Sequence, residues 1–122
     1  MHVPALLKAS EEKSSGIDEN SYASIDGLVV DGTWNAECAD GTKPAENEVI
    51  LKKRKTFNAF AGTDLKSVLE RNKVQRLFIM GFLTNVCIED TVMELSENMP
   101  KIAKYVLIDG CAANSERGHH NR

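Results

Sequence analysis

A chain of 122 residues can bury one modest core and is too short for two domains. With 42% hydrophobic and 27% charged residues it has the composition of an ordinary globular protein, and a formal net charge of −3 offers no general basis for gripping phosphates. No apolar run approaches the roughly 20 residues that span a bilayer, so neither nucleic acid nor membrane is an expected partner.

Taken in chain order, the first 48 residues are rich in Ser, Asp, Glu, Asn and Gly. "KASEEKSSGIDENS" reads as an exposed loop, and only "IDGLVVDGTW" carries enough apolar residues to anchor it. The start, "MHVPALLKASEEKSS", has a short apolar stretch without a basic leader or a cleavage-like site, so a cytoplasmic protein is expected. Beyond this region the elements alternate. "EVILKKR" is a short β-prone run, "TDLKSVLERN" a helix, "VQRLFIMGF" an apolar strand, "NVCIEDTVMELSE" a second helix and "AKYVLIDG" another apolar strand.

Thr63 marks the first helix as a side-chain cap, with Leu65, Val68 and Leu69 on one face and Asn72 near the end. In the second helix Ile88, Thr91, Val92 and Leu95 fall at i, i+3, i+4 and i+7, and Pro100 forbids continuation. Continuous apolar strands such as "LFIM" and "YVLI" are expected to be buried on both faces of a parallel sheet between helices. Alternation of strand and helix points to a βαβ, doubly wound α/β architecture, in which ligands bind beyond the carboxyl ends of the strands. "GFLTNVC", after "RLFIM", sits at such an end.

Three cysteines, Cys38, Cys87 and Cys111, stand at wide spacings without a CxxC pair, which suggests neither a disulfide framework nor a thiolate metal site. Cys38 and Cys111 lie in polar, loop-like surroundings and are assigned no chemistry. Cys87 differs, because a thiol in the first turn of a helix faces unpaired backbone N–H groups and the positive end of the helix dipole, both of which favour a thiolate. The same N–H groups can hold the oxyanion of an acyl-transfer intermediate, so one turn could supply nucleophile and oxyanion hole together. A buried cysteine that only packs is the competing interpretation.

The wider run "VILKKRKTFNAFAGTDLKSVLERNKVQRLFIMGFLTNVCIEDTVMEL" resembles the isochorismatase-like cysteine hydrolases. Their pattern is Lys-x-Arg shortly before an aromatic ending at "AF", then "GT-x-L", a helix, an apolar strand and "G-x-x-T-N-x-C-[VI]-x-x-T". The upstream "DGTWNAE…P" and downstream "VLIDGCAA" are also similar to that family, and the resemblance covers residues 29–120, after a loop-rich 1–28. It implies a three-layer α/β/α fold with a doubly wound, mainly parallel, Rossmann-like sheet. In active members it implies a triad of Asp, Lys and Cys acting on amide or related C–N bonds of small molecules.

Carried over residue by residue, Cys87 matches the nucleophile. The family's cis peptide bond would fall between Phe82 and Leu83, and the backbone amides of Leu83 and Cys87 would form the oxyanion hole. Preserving both members of Lys-x-Arg favours Lys52, with Arg54, as the active-site lysine, while Lys53 and Lys55 stay open; its fixed positive charge would stabilise the thiolate and developing anions. Taken alone, "KKRK" also reads as a solvated basic edge or a nuclear-import-like tetrapeptide.

The family's aspartate belongs at the end of a first strand, in a context like "D-x-Q-x-x-F". The one glutamine here is Gln75, and Asp18, Asp26, Asp31 and Asp40 sit in loop-like or turn-like contexts. The expectation is therefore a single-domain fragment, 1–122, that lacks the aspartate strand and the final helix, which "NSERGHH" would begin. No cofactor is expected. His2, His119 and His120 lack partners at ligand spacing, so no metal site is expected either, and the paired histidines read as a flexible tail. Trp34, Phe57 and Phe60 read as core or pocket wall, Asp109 with Gly110 as a turn, and Thr84 and Asn85 as loop-shaping or capping residues.

The functional expectation is a cysteine hydrolase acting on a non-peptide amide or related C–N bond through a thioester, with true isochorismatase activity disfavoured by the cysteine. Activity in so short a chain is in question. The alternative is a non-catalytic remnant of the fold serving as a binding or interaction domain. Assembly as a homo-oligomer is left open.

Overall fold

The computed structural model describes residues 32–51, 54 and 56–120. The chain divides into two units, Met1–Lys55 and Thr56–Arg122. In the first, short 3-10 turns at Trp34–Ala36 and Asp40–Thr42 are closed by Ala36 N–H donating to Thr33 O at 3.1 Å and Thr42 N–H to Ala39 O at 2.8 Å. Trp34, expected in the core or a pocket wall, is 81% exposed, because a single turn of this kind has no opposite face to bury. "EVILKKR" forms no strand among the described residues; Ile50 makes an isolated bridge only. Leu51 and Arg54 are buried.

The second unit opens with the loop 56–64. Asn58 Oδ1 accepts the Phe60 N–H at 2.9 Å, and the buried Thr91 hydroxyl accepts the Ala59 N–H at 3.1 Å. Thr63 then links loop to helix, its hydroxyl donating to Ala59 O at 2.6 Å and accepting the Leu65 N–H at 3.3 Å. Helix α1 runs Leu65–Arg71 and buries Leu65, Val68 and Leu69, the face its spacing dictates. It ends in a Schellman arrangement, with Lys73 N–H on Glu70 O and Val74 N–H on Leu69 O, both at 3.0 Å. Lys73 takes the left-handed position at φ 50°, where glycine is the usual choice.

Strand β1, Arg76–Phe82, leads through a helical crossover into α2, Glu89–Asn98, and then into β2, Ala103–Ala112, which pairs parallel to β1. The result is a βαβ unit, the α/β architecture in incomplete form. On α2 and the turn before it Ile88, Thr91 and Leu95 are buried and Val92 is half-buried, so the i, i+3, i+4, i+7 stripe holds. A short helix α3, Glu116–His120, closes the described chain.

Two expectations about the sheet need correction. The strands are not buried on both faces: along β1 Leu77, Ile79 and Gly81 are partly covered while Phe78, Met80 and Phe82 are exposed, and Tyr105 to Ile108 of β2 are exposed as well. The described sheet has only two strands, and the crossover covers one face, bringing Ile88 Cδ1 to 3.5 Å from where a Gly81 Cβ would lie. Asp109 and Gly110 are not a terminal turn, and Cys111 is not in a loop, because β2 continues to Ala112. Between the pairs Ile79↔Val106 and Gly81↔Cys111, β1 has Met80 alone where β2 has Leu107, Ile108, Asp109 and Gly110. Such a bulge lets a strand carry extra residues without ending. Gly110 is required there, since a Cβ would stand 2.9 Å from Met80 Cβ.

Candidate functional site

β1 delivers its carboxyl end to the segment that carries Cys87. The peptide bond Phe82–Leu83 is cis, and the following Thr84–Ile88 is a π-type turn in which Ile88 N–H and Val86 N–H both reach Leu83 O at 3.2 Å. Asn85, at φ −92° and ψ 16°, widens the turn where a regular helix would have started, so Cys87 lies in this turn and one residue ahead of the Ile88 cap of α2. Cys87 is buried at 5% exposure, whereas Cys38 and Cys111 are half-buried. The Leu83 N–H has no hydrogen-bond acceptor among the described residues.

Thr84, also buried, opens the turn. Its hydroxyl lies 2.9 Å from His119 Nδ1, a hydrogen bond whose direction depends on the imidazole tautomer. His119 is thus built into α3 and not part of a free tail. Ser115 caps that helix: its Oγ accepts the Gly118 N–H at 3.1 Å and its carbonyl the His119 N–H at 3.1 Å. Gly118 lies against Asn85, whose amide atoms are 3.0 to 3.2 Å from a Cβ built at that glycine. Thr84 and Asn85, expected to shape the loop, are therefore each held by α3. Spacing alone could not find His119, because its partner is 35 residues away; the readable signal is the Ser115 cap that starts its helix.

Lys52, with Lys53 and Lys55, lies outside the described residues, as do His2, Asp18, Asp26 and Asp31. Asp40 belongs to the second 3-10 turn and pairs with Lys43 at 2.9 Å, an exposed contact. Among the described residues no group of three or more His, Cys, Asp or Glu side chains could hold a metal ion, and no helix is long and apolar enough to cross a membrane.

The family model described as the isochorismatase domain matches residues 14–122. The ureidoacrylate amidohydrolase RutB of Klebsiella pneumoniae subsp. pneumoniae is 31% identical over 67 residues, which are 55% of this chain and 28% of that protein. The crystal structure of an isochorismatase family protein from Desulfovibrio vulgaris superposes with a TM-score of 0.84 at 28% identity, covering 98% of this chain and 62% of that one. An isochorismatase-like hydrolase from Alkaliphilus metalliredigens gives a TM-score of 0.71 at 29% identity over 76% of this chain and 50% of that one. The chain thus spans only part of the length of each of these relatives. With a family match running across nearly all of it and a βαβ unit that superposes on solved members, the chain belongs to the isochorismatase domain family.

Proposed function

We propose that the protein to which this chain belongs is a cysteine hydrolase that cleaves a C–N bond of a small, non-peptide amide or ureido compound through Cys87. The observation that carries the reading is the placement of Cys87, buried in the turn that leaves the carboxyl end of β1. Beyond the strand ends is where α/β folds bind ligands. The name of the ureidoacrylate relative supports the substrate class. The family match across residues 14–122 supports taking the chain as part of a single domain.

In this mechanism the Cys87 sulfur attacks the carbonyl carbon and the oxygen becomes an oxyanion. The C–N bond breaks, the amine leaves with a proton, and a thioester remains, or a thiocarbamate where the carbonyl attacked is a ureido one. Water then attacks that carbon, the C–S bond breaks and the thiol is restored. The backbone N–H groups of Leu83 and Cys87 are the proposed oxyanion donors, and the Leu83 N–H, with no acceptor among the described residues, is suited to it. Lys52 is the proposed fixed positive charge beside the thiolate. No residue of this chain is assigned the general base, a role whose loss costs roughly 10²–10⁴-fold in rate. The substrate is a small molecule, with no part for nucleic acid or membrane, and the compartment is the cytoplasm.

Alkylation by iodoacetamide at pH 7, with peptide mapping of the products, tests this. Cys87 is less exposed than Cys38 and Cys111, so accessibility alone makes it the slowest of the three to react. An activated nucleophile reverses that order and labels at least about tenfold faster, since rate depends on thiolate character. Lys52→Met slows the labelling of Cys87. If Cys87 labels no faster than the other two, the nucleophile is lost and the non-catalytic binding domain becomes the better reading.

A further inference from the structure

The turn Thr84–Ile88 that carries Cys87 is met by α3. Two adjacent residues of α3 meet two adjacent residues of the turn: Gly118 packs on Asn85, and the His119 ring is hydrogen-bonded to the Thr84 hydroxyl at 2.9 Å. Both contacts descend from Ser115, whose hydroxyl and carbonyl fix the Gly118 and His119 amides and hence the direction of the imidazole. Thr84 is buried, so its hydroxyl cannot turn to bulk water for a partner.

The turn needs such a hold. It is wider than an α-helix, with Asn85 off helical dihedrals, and only after Ile88 does the regular ladder of α2 take over. The residues before Cys87 therefore get less definition from backbone repetition than those after it. The contacts at Thr84 and Asn85 add definition to this stretch, three and two residues ahead of Cys87.

We propose that His119 is a positioning residue for the nucleophile: through its Nδ1 bond to the Thr84 hydroxyl it fixes the turn that aims Cys87. It touches no reacting atom. The inference rests on the reading of Cys87 as the nucleophile, and it adds to that reading the element that orients the thiol. A small displacement of a reacting group can lower a rate by up to ~10²-fold, so even a partial release of the turn is measurable.

The experiment uses the full chain and the alkylation rate of Cys87 relative to Cys38 and Cys111, with folding checked by circular dichroism. Asparagine carries a polar atom near the place of Nδ1 and can donate or accept, whereas glutamine carries its amide near the place of Nε2. Asparagine thus serves either tautomer of the native pair, and a role confined to filling space predicts no such contrast. His119→Asn should keep the Cys87 rate within about twofold, and His119→Gln should lower it about tenfold. At the other end of the bond, Thr84→Ser should keep the rate and Thr84→Val should lower it about as much as His119→Gln. Equal rates in the Asn and Gln variants, or in the Ser and Val variants, overturn the positioning role. Should the unaltered chain already label Cys87 no faster than the other cysteines, it is the nucleophile reading that fails, and the two failures are told apart.

Discussion

The contact of Gly118 with Asn85 allows a prediction in which the sign of a mutation depends on its background. Alanine is normally favoured over glycine inside a helix by about 0.5–1 kcal/mol. Gly118 lies in α3 with no positive φ to forbid a side chain. At this position, however, a Cβ would meet Asn85 Nδ2 at 3.0 Å, Cγ at 3.1 Å and Oδ1 at 3.2 Å. Carbon contacts are optimal at about 3.5–4.0 Å, and forcing an added methyl into such a gap costs typically ~1–3 kcal/mol. Gly118→Ala should therefore destabilise the protein by about 0.5–2 kcal/mol. Once Asn85 is replaced by Ala, the three crowding atoms are gone, and the same Gly118→Ala change should stabilise by about 0.5–1 kcal/mol. Urea unfolding reads both: with a slope of about 1–3 kcal/mol per molar, the midpoint falls by a few tenths of a molar or more in one background and rises in the other. Hydrogen exchange of the His119 amide, bonded to Ser115 O, reports the same reversal if α3 opens before the rest. Gly118→Ala with one sign in both backgrounds would refute the packing of α3 on the turn that carries Cys87.

Single positions give further outcomes. Lys73→Gly should raise stability by about 0.5–1 kcal/mol, because Lys73 closes α1 at φ 50° and glycine removes the Cβ penalty there; an unchanged urea midpoint would contradict this. Leu95→Ala should cost about 2–5 kcal/mol, Leu95 being fully buried on α2, while Met93→Ala on the exposed side of the same helix should stay within about 0.5 kcal/mol; similar costs for both would mean that α2 is oriented differently. Gly110→Ala should cost about 1–3 kcal/mol by pushing against Met80 across the bulge, and thermal melts that leave the two proteins indistinguishable would count against the register of β1 and β2.

How far the fold is legible in the sequence differs with the range of the interaction. α1 and α2 are legible because their signals are local: the apolar stripes through Leu69 and Leu95 repeat at helical spacing. Thr63 is not the N-cap its residue type suggests: Asp64 holds that place without a side-chain cap bond, and Thr63, one residue earlier, accepts the Leu65 N–H. The strands are legible as strands, but their burial is not, since that depends on which elements cover them and not on their own apolar content. The β2 bulge is invisible for the same reason. "LIDG" ends a strand by its composition, yet the chain continues to Ala112 because Gly110 fits beside Met80, a fact about the neighbouring strand. Trp34 shows the converse, an aromatic whose size suggests a core that its short turn does not provide.

The candidate site divides along the same line. Cys87 is recognisable from a contiguous run, and that run also commits the chain to a helix from Ile88 onward through its apolar spacing. The run leaves undetermined the stretch before the helix, where Asn85 leaves helical dihedrals and the turn opens to π width. No apolar period operates there, and besides the backbone bonds to Leu83 O and the packing of Ile88 by Gly81, the turn is met from a distance in sequence by Gly118 and His119. A histidine in "RGHHNR" carries no sign of this in its own neighbourhood. The local sequence can therefore place a thiol at the end of a strand, while the turn that carries it is contacted by residues some thirty positions further on, which is why substitutions in α3 test the proposed positioning of the thiol.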